Sequence, residues 1–537
     1  MPDVVVYGAT AGGVVAAVAA AREGASVALV GPGRHVGGML SGGLSRSDVE
    51  RQETLIGGLA AEVFARIGDR YGGGPGWRFE PHVAEEVLLE LLDEAGVDLV
   101  LDLSIDAVAV ERRRVSTLTA PDGRSVDAAV WIDASYEGDL FAAAGASSNV
   151  GREDRELNGE RLAGRREILP NPHQARAPVS ALDDDGHLLP FVVPYDELPS
   201  LGSGDGKVQS YCYRICLSRA DDRLPLDPPL EYDRARYVLV ERYLTALAAD
   251  GIRPSMHDVI GISDLPNGKV DVNSHGPFST NLLGAAWSYP EASADERLQI
   301  AANHESWARG LLHFLSTDAV VPGEISDLLS PYGYPADEFA DNDHWPHQLY
   351  VREARRLVGE HVLTERDVFE GRMPADTIAL GGYNIDIREV QWVACPISRF
   401  PDVHHEVLVE GYLSVPVEPY GIPYRSLLPL RTEVENLLVS TCVSASAVAF
   451  GSLRMEPQFL VMGHAAGVAA AFATEYGRTR RGSRRGSGEA RGLGSGHPPV
   501  RRRRRKLRIS PARKGASVPL ATPASSSVSS RRTVLMS

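Results

Sequence analysis

The sequence predicts an α/β protein: a doubly wound nucleotide fold carrying a large inserted α+β region and a disordered basic C-terminal tail. Three observations predict it. An uncharged run, Val4–Ala21, divides at its glycines into a β-branched strand and an Ala-rich helix. Strand-like and helix-like segments then alternate to about residue 133 and return near the end of the chain. Between them, from about 150 to 390, the chain is rich in Pro, Asp, aromatic and His residues and the alternation weakens.

The elements follow in order. Val4–Tyr7 reads as a short buried strand, Ala11–Glu23 as a helix and Ser26–Val30 as a second strand. Strand, glycine turn, helix and strand within about 30 residues make a βαβ unit. A helix is expected over Arg51–Tyr71, and another over Pro81–Ala95, whose Val87, Leu88, Leu91 and Leu92 share one face. Val97–Leu101, Ser104–Val110 and Val115–Ala120 read as strands, the last leading into the turn Pro121-Asp-Gly, and Ala128–Ile132 reads as the next buried strand. In the middle region Arg234–Ala249 and Ala294–Leu315 read as helices. Strands return at His405–Val409 and Asn436–Ser440, and Glu456–Glu475 reads as a closing helix. This divides the chain into a nucleotide-binding part (1–149), an inserted substrate or cap region (150–395), a return to the nucleotide-binding part (396–477) and a tail (478–537).

Charge separates the tail from the rest. Residues 478–537 hold 17 Lys and Arg against one acid, Glu489, including the run Arg501–Lys506, among Ser, Pro and Gly. That composition does not bury enough apolar surface to fold alone. Residues 1–477 hold 38 basic and 70 acidic residues. So acidic a body repels a phosphate backbone, which leaves the tail as the sole expected route to nucleic acid. The uncharged Val4–Ala21 run is near the lower limit for a membrane span. Asp3 stands where a signal peptide carries Lys or Arg, and Gly8, Gly12 and Gly13 interrupt the run, so no membrane association is expected. Four cysteines without a CxxC pair fit a cytoplasmic protein.

Two glycine-rich segments carry the chemistry. Gly8-Ala-Thr-Ala-Gly-Gly13 sits between strand and helix, where a pyrophosphate needs a tight turn, close backbone approach and free N–H groups. Gly8 makes the turn, Gly12 and Gly13 open the helix, and Thr10 stands where the dinucleotide fingerprint has its second glycine. The second strand ends Val30-Gly-Pro-Gly33 without the acid that usually binds the ribose. The next block, His35-Val-Gly-Gly-Met-Leu-Ser-Gly-Gly43, contains Gly37, Gly38 and Ser41 and reads as a loop passing close to a ligand.

These blocks, with Trp131-Ile-Asp-Ala-Ser-Tyr-Glu-Gly-Asp139, Asp341–Arg356, Gly421–Ser426, Asn436–Ser440 and Arg454–Gly467, occur in an order that resembles the FAD-dependent oxidoreductases. These are flavoproteins distantly similar to the flavin subunit of heterodisulfide reductase. The resemblance spans roughly 1–475. It implies a Rossmann-like, glutathione-reductase-like FAD-binding fold and FAD as cofactor, and it tolerates Thr10 and the missing acid. It also implies that Asp133 and Gly138 close a loop near the flavin. The helix carrying Gly463 and Gly467 would turn its N-terminus to the isoalloxazine edge, where its dipole favours negative charge on a reduced flavin.

The expected activity is hydride transfer from a small-molecule substrate to flavin, with the electron acceptor unknown. A flavin-dependent lyase or isomerase and an electron-transfer module remain open alternatives, although so large an inserted region points to a substrate pocket. Oxidation of an alcohol or amine needs a base and a cation. His344 or His347 is the expected base and Arg352 the expected anchor, with His275 and His464 as further candidates. Relatives of the heterodisulfide-reductase type carry iron–sulfur clusters. Cys212, Cys216, Cys395 and Cys442 lack the close thiolate spacing of such a cluster, and none is expected.

Overall fold

The computed structural model describes residues 1–47, 49, 52–396, 405–485 and 510–511. Its centre is a five-stranded parallel sheet in the order Leu437–Val439, Val130–Asp133, Val4–Tyr7, Val27–Val30, Asp98–Val100. Tyr7 lies opposite both Val30 and Asp133, and Val439 lies opposite Asp133, so four strands end level with one another. The first strand continues to the right in sequence order and to the left by long crossovers. Its carboxyl end is therefore a topological switch point, the place where open α/β sheets bind ligands.

The short apolar strands are buried on both faces, and their side chains divide with period two. Val4, Val6, Val27, Leu29 and Ile132 face the helices. Val5, Tyr7, Ala28, Val30 and Trp131 face the antiparallel strands Ala107–Glu111, Arg114–Thr119 and Arg124–Asp127, whose Val115, Leu118 and Val126 complete a second core layer. The helix Ala11–Arg22 is buried from Ala11 to Ala21. It packs under the sheet against Pro81–Ala95 and the late helix Glu456–Arg485. No helix among the described residues is long and apolar enough to cross a membrane.

The inserted region folds into small separate sheets. Ile215–Ser218, Lys269–Ser274 and Ile260–Asp264 form one; Val192–Pro194, Gln391–Cys395 and Glu406–Glu410 form another. Its longest helix, Ala294–Thr317, opens on a capping box in which Ser293 and Glu296 satisfy each other's backbone N–H groups. The other middle helix, Val238–Ala249, is preceded by a 3-10 turn, Arg234–Tyr237, capped by Asp233.

Several boundaries differ from the sequence expectation. Within the stretch expected to be helical from Arg51 to Tyr71, the α-helix begins only at Gly58, because Gly57 is extended and Gly58 has φ +60°. Arg51 itself lies outside the described residues. Strand Glu406–Glu410 pairs with the inserted region, and the chain rejoins the central sheet at Leu437. The late helix runs on to Arg485, past the composition break at 477. Of the remaining tail, expected to be disordered, only Ser510–Pro511 falls within the described residues, paired with the strand Arg124–Asp127.

Candidate functional site

The turn after the first strand is shaped by what glycine permits. Gly8 has φ +103°, and a Cβ there would lie 2.6 Å from the Ser135 nitrogen. A Cβ on Gly13 would lie 2.0 Å from the Gly8 oxygen, so Gly13 lets the helix close onto its own turn. Thr10, the residue that breaks the fingerprint, is the helix N-cap. Its Oγ1 accepts from the Gly13 N–H (3.1 Å) and donates to the Ala134 oxygen (2.8 Å). The Ala11 and Gly12 N–H groups have no helical acceptor one turn back, and the first turn carries no acid. This leaves a helix end suited to an anion.

The second strand runs into Gly31 without an acid, as the sequence shows. Arg34 is exposed and lies 3.6 Å from Asp102. A carboxylate does approach this region, supplied by the helix Pro81–Ala95: Glu85 accepts from the Val36 N–H (3.0 Å) and lies 3.2 Å from His35 Nδ1.

The sequence blocks meet at this end of the sheet. The Gly37 N–H donates to the Ala9 oxygen (2.7 Å), docking the second glycine block on the turn. Gly37 and Gly38 both take positive φ, and a Cβ on Gly38 would lie 2.5 Å from Tyr136 Oη. Ser41 is buried and donates to the Val36 oxygen (2.6 Å), which directs its hydroxyl into its own loop. Asp133 is buried at its strand end and accepts from the Ser135 N–H, the Ser135 hydroxyl and the Phe141 N–H. Burial pushes its carboxyl up to about 6 against the pull of those hydrogen bonds. Gly138, at φ +70°, donates its N–H to Ser135 Oγ (3.0 Å). Asp133 and Gly138 thus hold the loop 133–141 closed.

One hydrogen-bonded chain joins three of the blocks. The Met39 N–H donates to Tyr136 Oη (3.0 Å), and the Tyr136 hydroxyl donates to Glu456 Oε1 (2.7 Å). Glu456 opens the late helix and is fully buried, which pushes its carboxyl up to about 8. Gly463 and Gly467, expected on the helix whose N-terminus faces the isoalloxazine edge, lie on this same helix, which begins at Glu456. The structure puts both further along the helix, in its seam with Ala11–Arg22: a Cβ on Gly463 would lie 2.2 Å from the Gly12 oxygen, and one on Gly467 would lie 2.1 Å from the Ala16 oxygen. His464, the other late-helix candidate, accepts from the Leu59 N–H at 3.3 Å and caps a neighbouring helix. Glu456 was missed because its distinction is burial. Pro457 beside it marks a helix start but gives no sign of an acid held neutral.

The histidines of the middle block separate. His347 is buried, stacked on His35 at 3.9 Å, and both of its ring nitrogens lack a hydrogen-bond partner. Burial pulls it down to about 4, so its ring is neutral. A Cβ on Gly42 would lie 3.2 Å from its Nε2, which places it on the second glycine block. His344, at φ +54°, turns Nδ1 to the Pro335 and Glu338 oxygens. His275 sets Nδ1 against the His257 oxygen. All four cysteines are free thiols. Cys212 receives a hydrogen bond from Arg352, and Cys442 donates to the Tyr136 oxygen.

Arg352 lines a polar cavity of about 240 Å³ with Arg214, Arg388, Arg454, Tyr350 and Asp386. Neither His344 nor His347 is among its lining residues, so the structure does not bring the expected base and the expected anchor together. The cavity adjoins the blocks described above. A Cβ on Gly43 would lie 2.2 Å from the Arg214 oxygen, and Arg454 stands two residues before Glu456. Asp386 is the one carboxylate among the lining residues and lies 3.3 Å from Arg454. The acidic cluster Glu80, His82 and Asp337 has the spacing of a metal site, but Lys269 Nζ already fills it, 2.7 Å from Glu80 and 2.8 Å from Asp337.

The chain belongs to a family described as FAD dependent oxidoreductase, whose model matches residues 3–482. No curated protein matches it. Among solved structures it is similar to a flavin monooxygenase from Stenotrophomonas maltophilia (20% identity, 25% of this chain and 37% of that one, TM-score 0.19). It is also similar to an L-amino acid deaminase from Proteus vulgaris (15%, 25% and 52%, TM-score 0.21) and to thioredoxin reductase from T. acidophilum (24%, 25% and 34%, TM-score 0.16). The chain spans roughly two fifths of the first such structures, and at these TM-scores the likenesses carry no argument. The cofactor is FAD. The residues present fit it: an acid-free helix start stands behind the glycine turn, and Glu456 Oε2, Gln458 Oε1 and both His347 nitrogens are buried without partners in the protein where the blocks meet.

Proposed function

We propose that this flavoprotein oxidises a small organic substrate by hydride transfer, with the substrate held in the cavity lined by Arg352. The single observation that carries the reading is a polar, cation-rich cavity set against the second glycine block and the start of the late helix. FAD, when bound, supplies the hydride acceptor. The chain's own groups supply the rest. The Ala11 and Gly12 N–H groups and the helix dipole hold the pyrophosphate. Glu456, neutral below about pH 8, keeps negative charge away from the start of the late helix, so that the dipole there remains available to an electron-rich group. In the cavity the Arg352 guanidinium orients the substrate, and Asp386 takes the proton that leaves with oxidation.

Anaerobic mixing of the holoenzyme with a panel of small alcohols, amines and hydroxy acids tests the reading. At least one compound is expected to bleach the flavin absorbance. Asp386→Asn is expected to slow that bleaching by about 100-fold or more while keeping its flavin. Conversion of a compound to a non-redox product with the flavin spectrum unchanged overturns the proposal.

A further inference from the structure

Resting on that reading, we infer that the cavity recognises an anionic group, and that the substrates are small carboxylates bound through Arg352. The argument begins with charge. Arg352 is buried. Its Nη1 donates to the Ser210 oxygen and its Nη2 to Cys212 Sγ (3.2 Å), and its guanidinium lies 4.7 Å from the centre of the Tyr350 ring. These partners are a carbonyl, a thiol and an aromatic face. None is a carboxylate.

The other lining cations are balanced. Arg214 forms a two-point pair with Asp271, Arg388 lies 3.1 Å from Glu389, and Arg454 lies 3.3 Å from Asp386. Four guanidinium groups are thus set against three carboxylates, only one of which lines the cavity, and none of the three is hydrogen-bonded to Arg352. Burial pulls the Arg352 guanidinium down from its ordinary range, and the nearby Arg388 and Arg454 act in the same direction. Away from the cavity, buried cations are of two kinds: Arg166 donates to the Leu162 and Gly411 oxygens, whereas others are paired with carboxylates. Arg356 has Glu153 and Glu353, Arg152 has Asp205 and Glu410, and Lys269 has Glu80, Asp337 and Glu338.

A guanidinium withdrawn from water without a counter-charge is costly, and the cost is recovered when an anion enters. Its planar fork matches a carboxylate at two points. A volume of about 240 Å³ suits a small ligand. Tyr350 also lines the cavity, and its hydroxyl accepts from Arg454 Nη1 (3.2 Å).

The test sets charge against shape. Acetate, lactate and succinate are titrated into the holoenzyme beside acetamide, lactamide and succinamide, with affinity read by calorimetry and by the shift of the flavin band. At least one acid is expected to bind 10-fold or more tighter than its amide. Arg352→Gln is expected to abolish that preference, and Arg352→Lys to keep part of it. Equal affinity of acids and amides in the wild type overturns the inference, and that comparison needs no variant to fold. A preference unchanged in a flavin-loaded Arg352→Gln overturns it as well. The two readings fail separately. Tight carboxylate binding without bleaching by any oxidisable acid supports the anion site and removes the hydride-transfer reading. Bleaching by a neutral alcohol at a rate indifferent to Arg352→Gln does the reverse.

Discussion

At the scale of single residues, Glu456 concentrates the unusual chemistry of the site. A carboxyl pushed up to about 8 holds its proton in the folded protein and releases it near 4.5 when the chain unfolds. Between those two values the folded state binds more protons than the unfolded state, so this group lowers stability as pH rises from about 4.5 to about 8 and adds no further slope beyond. Glu456→Gln keeps the shape and a polar end but does not ionise. The wild type is therefore expected to lose up to about 1.4 kcal/mol per pH unit relative to the variant across that window. Urea unfolding of both proteins at pH 5.5, 6.5 and 7.5 measures it, and parallel curves would show that the buried carboxyl is not neutral. Thr10 is the second informative residue. In the sequence it reads as a defect in the fingerprint, yet it satisfies a helix N–H and anchors the turn to Ala134. Thr10→Ala is expected to cost about 1 kcal/mol and Thr10→Gly only a few tenths in the same unfolding assay.

At the scale of elements, the contact between the first and last helices decides whether the two ends of the chain make one site. Glycine inside a helix ordinarily costs about 1 kcal/mol relative to alanine. Gly467→Ala would recover that cost on an isolated helix. Here the added methyl lies 2.1 Å from the Ala16 oxygen, a backbone atom that moves only with its helix. Overpacking of this kind costs about 1–3 kcal/mol and outweighs the propensity gain. Gly463→Ala, at 2.2 Å from the Gly12 oxygen, is expected to do the same and also to lower flavin content, because Gly12 belongs to the turn. The unfolding midpoint and the ratio of flavin to protein measure both effects; a stabilised variant would show that the helices part easily. The elements themselves were legible because their signals are local: β-branched runs, glycine punctuation, an amphipathic stripe over Pro81–Ala95. Their partners were not. Nothing in Glu406–Glu410 says that it pairs with Gln391–Cys395 and not with the nucleotide sheet, since both settings bury an apolar strand.

At the scale of the whole molecule, the family and its cofactor could be read from ordered glycine blocks, whereas the cavity could not. Arg214, Arg352, Arg388 and Arg454 are scattered over some 240 positions of sequence, and their convergence is a product of tertiary packing. The same separation explains why His347 and Arg352, five residues apart in the chain, serve different walls. The central sheet has the same long-range character: Leu437–Val439 joins strands from the first third of the chain, and the late helix covers the first. Truncation tests how far each part is needed. A protein ending at Arg485 keeps all five strands and the whole late helix, and it is expected to bind FAD with an unfolding free energy within about 0.5 kcal/mol of the full chain. A protein ending at Met455 keeps the five strands and both glycine blocks but loses Glu456 and the helix seated on Gly12 and Ala16. It is expected to fail to retain flavin, because the apolar face of Ala11–Arg22 would then lie open to water. A yellow, cooperatively unfolding protein ending at Met455 would show that the N-terminal glycine turn suffices, and that the far end of the chain is not part of the flavin site.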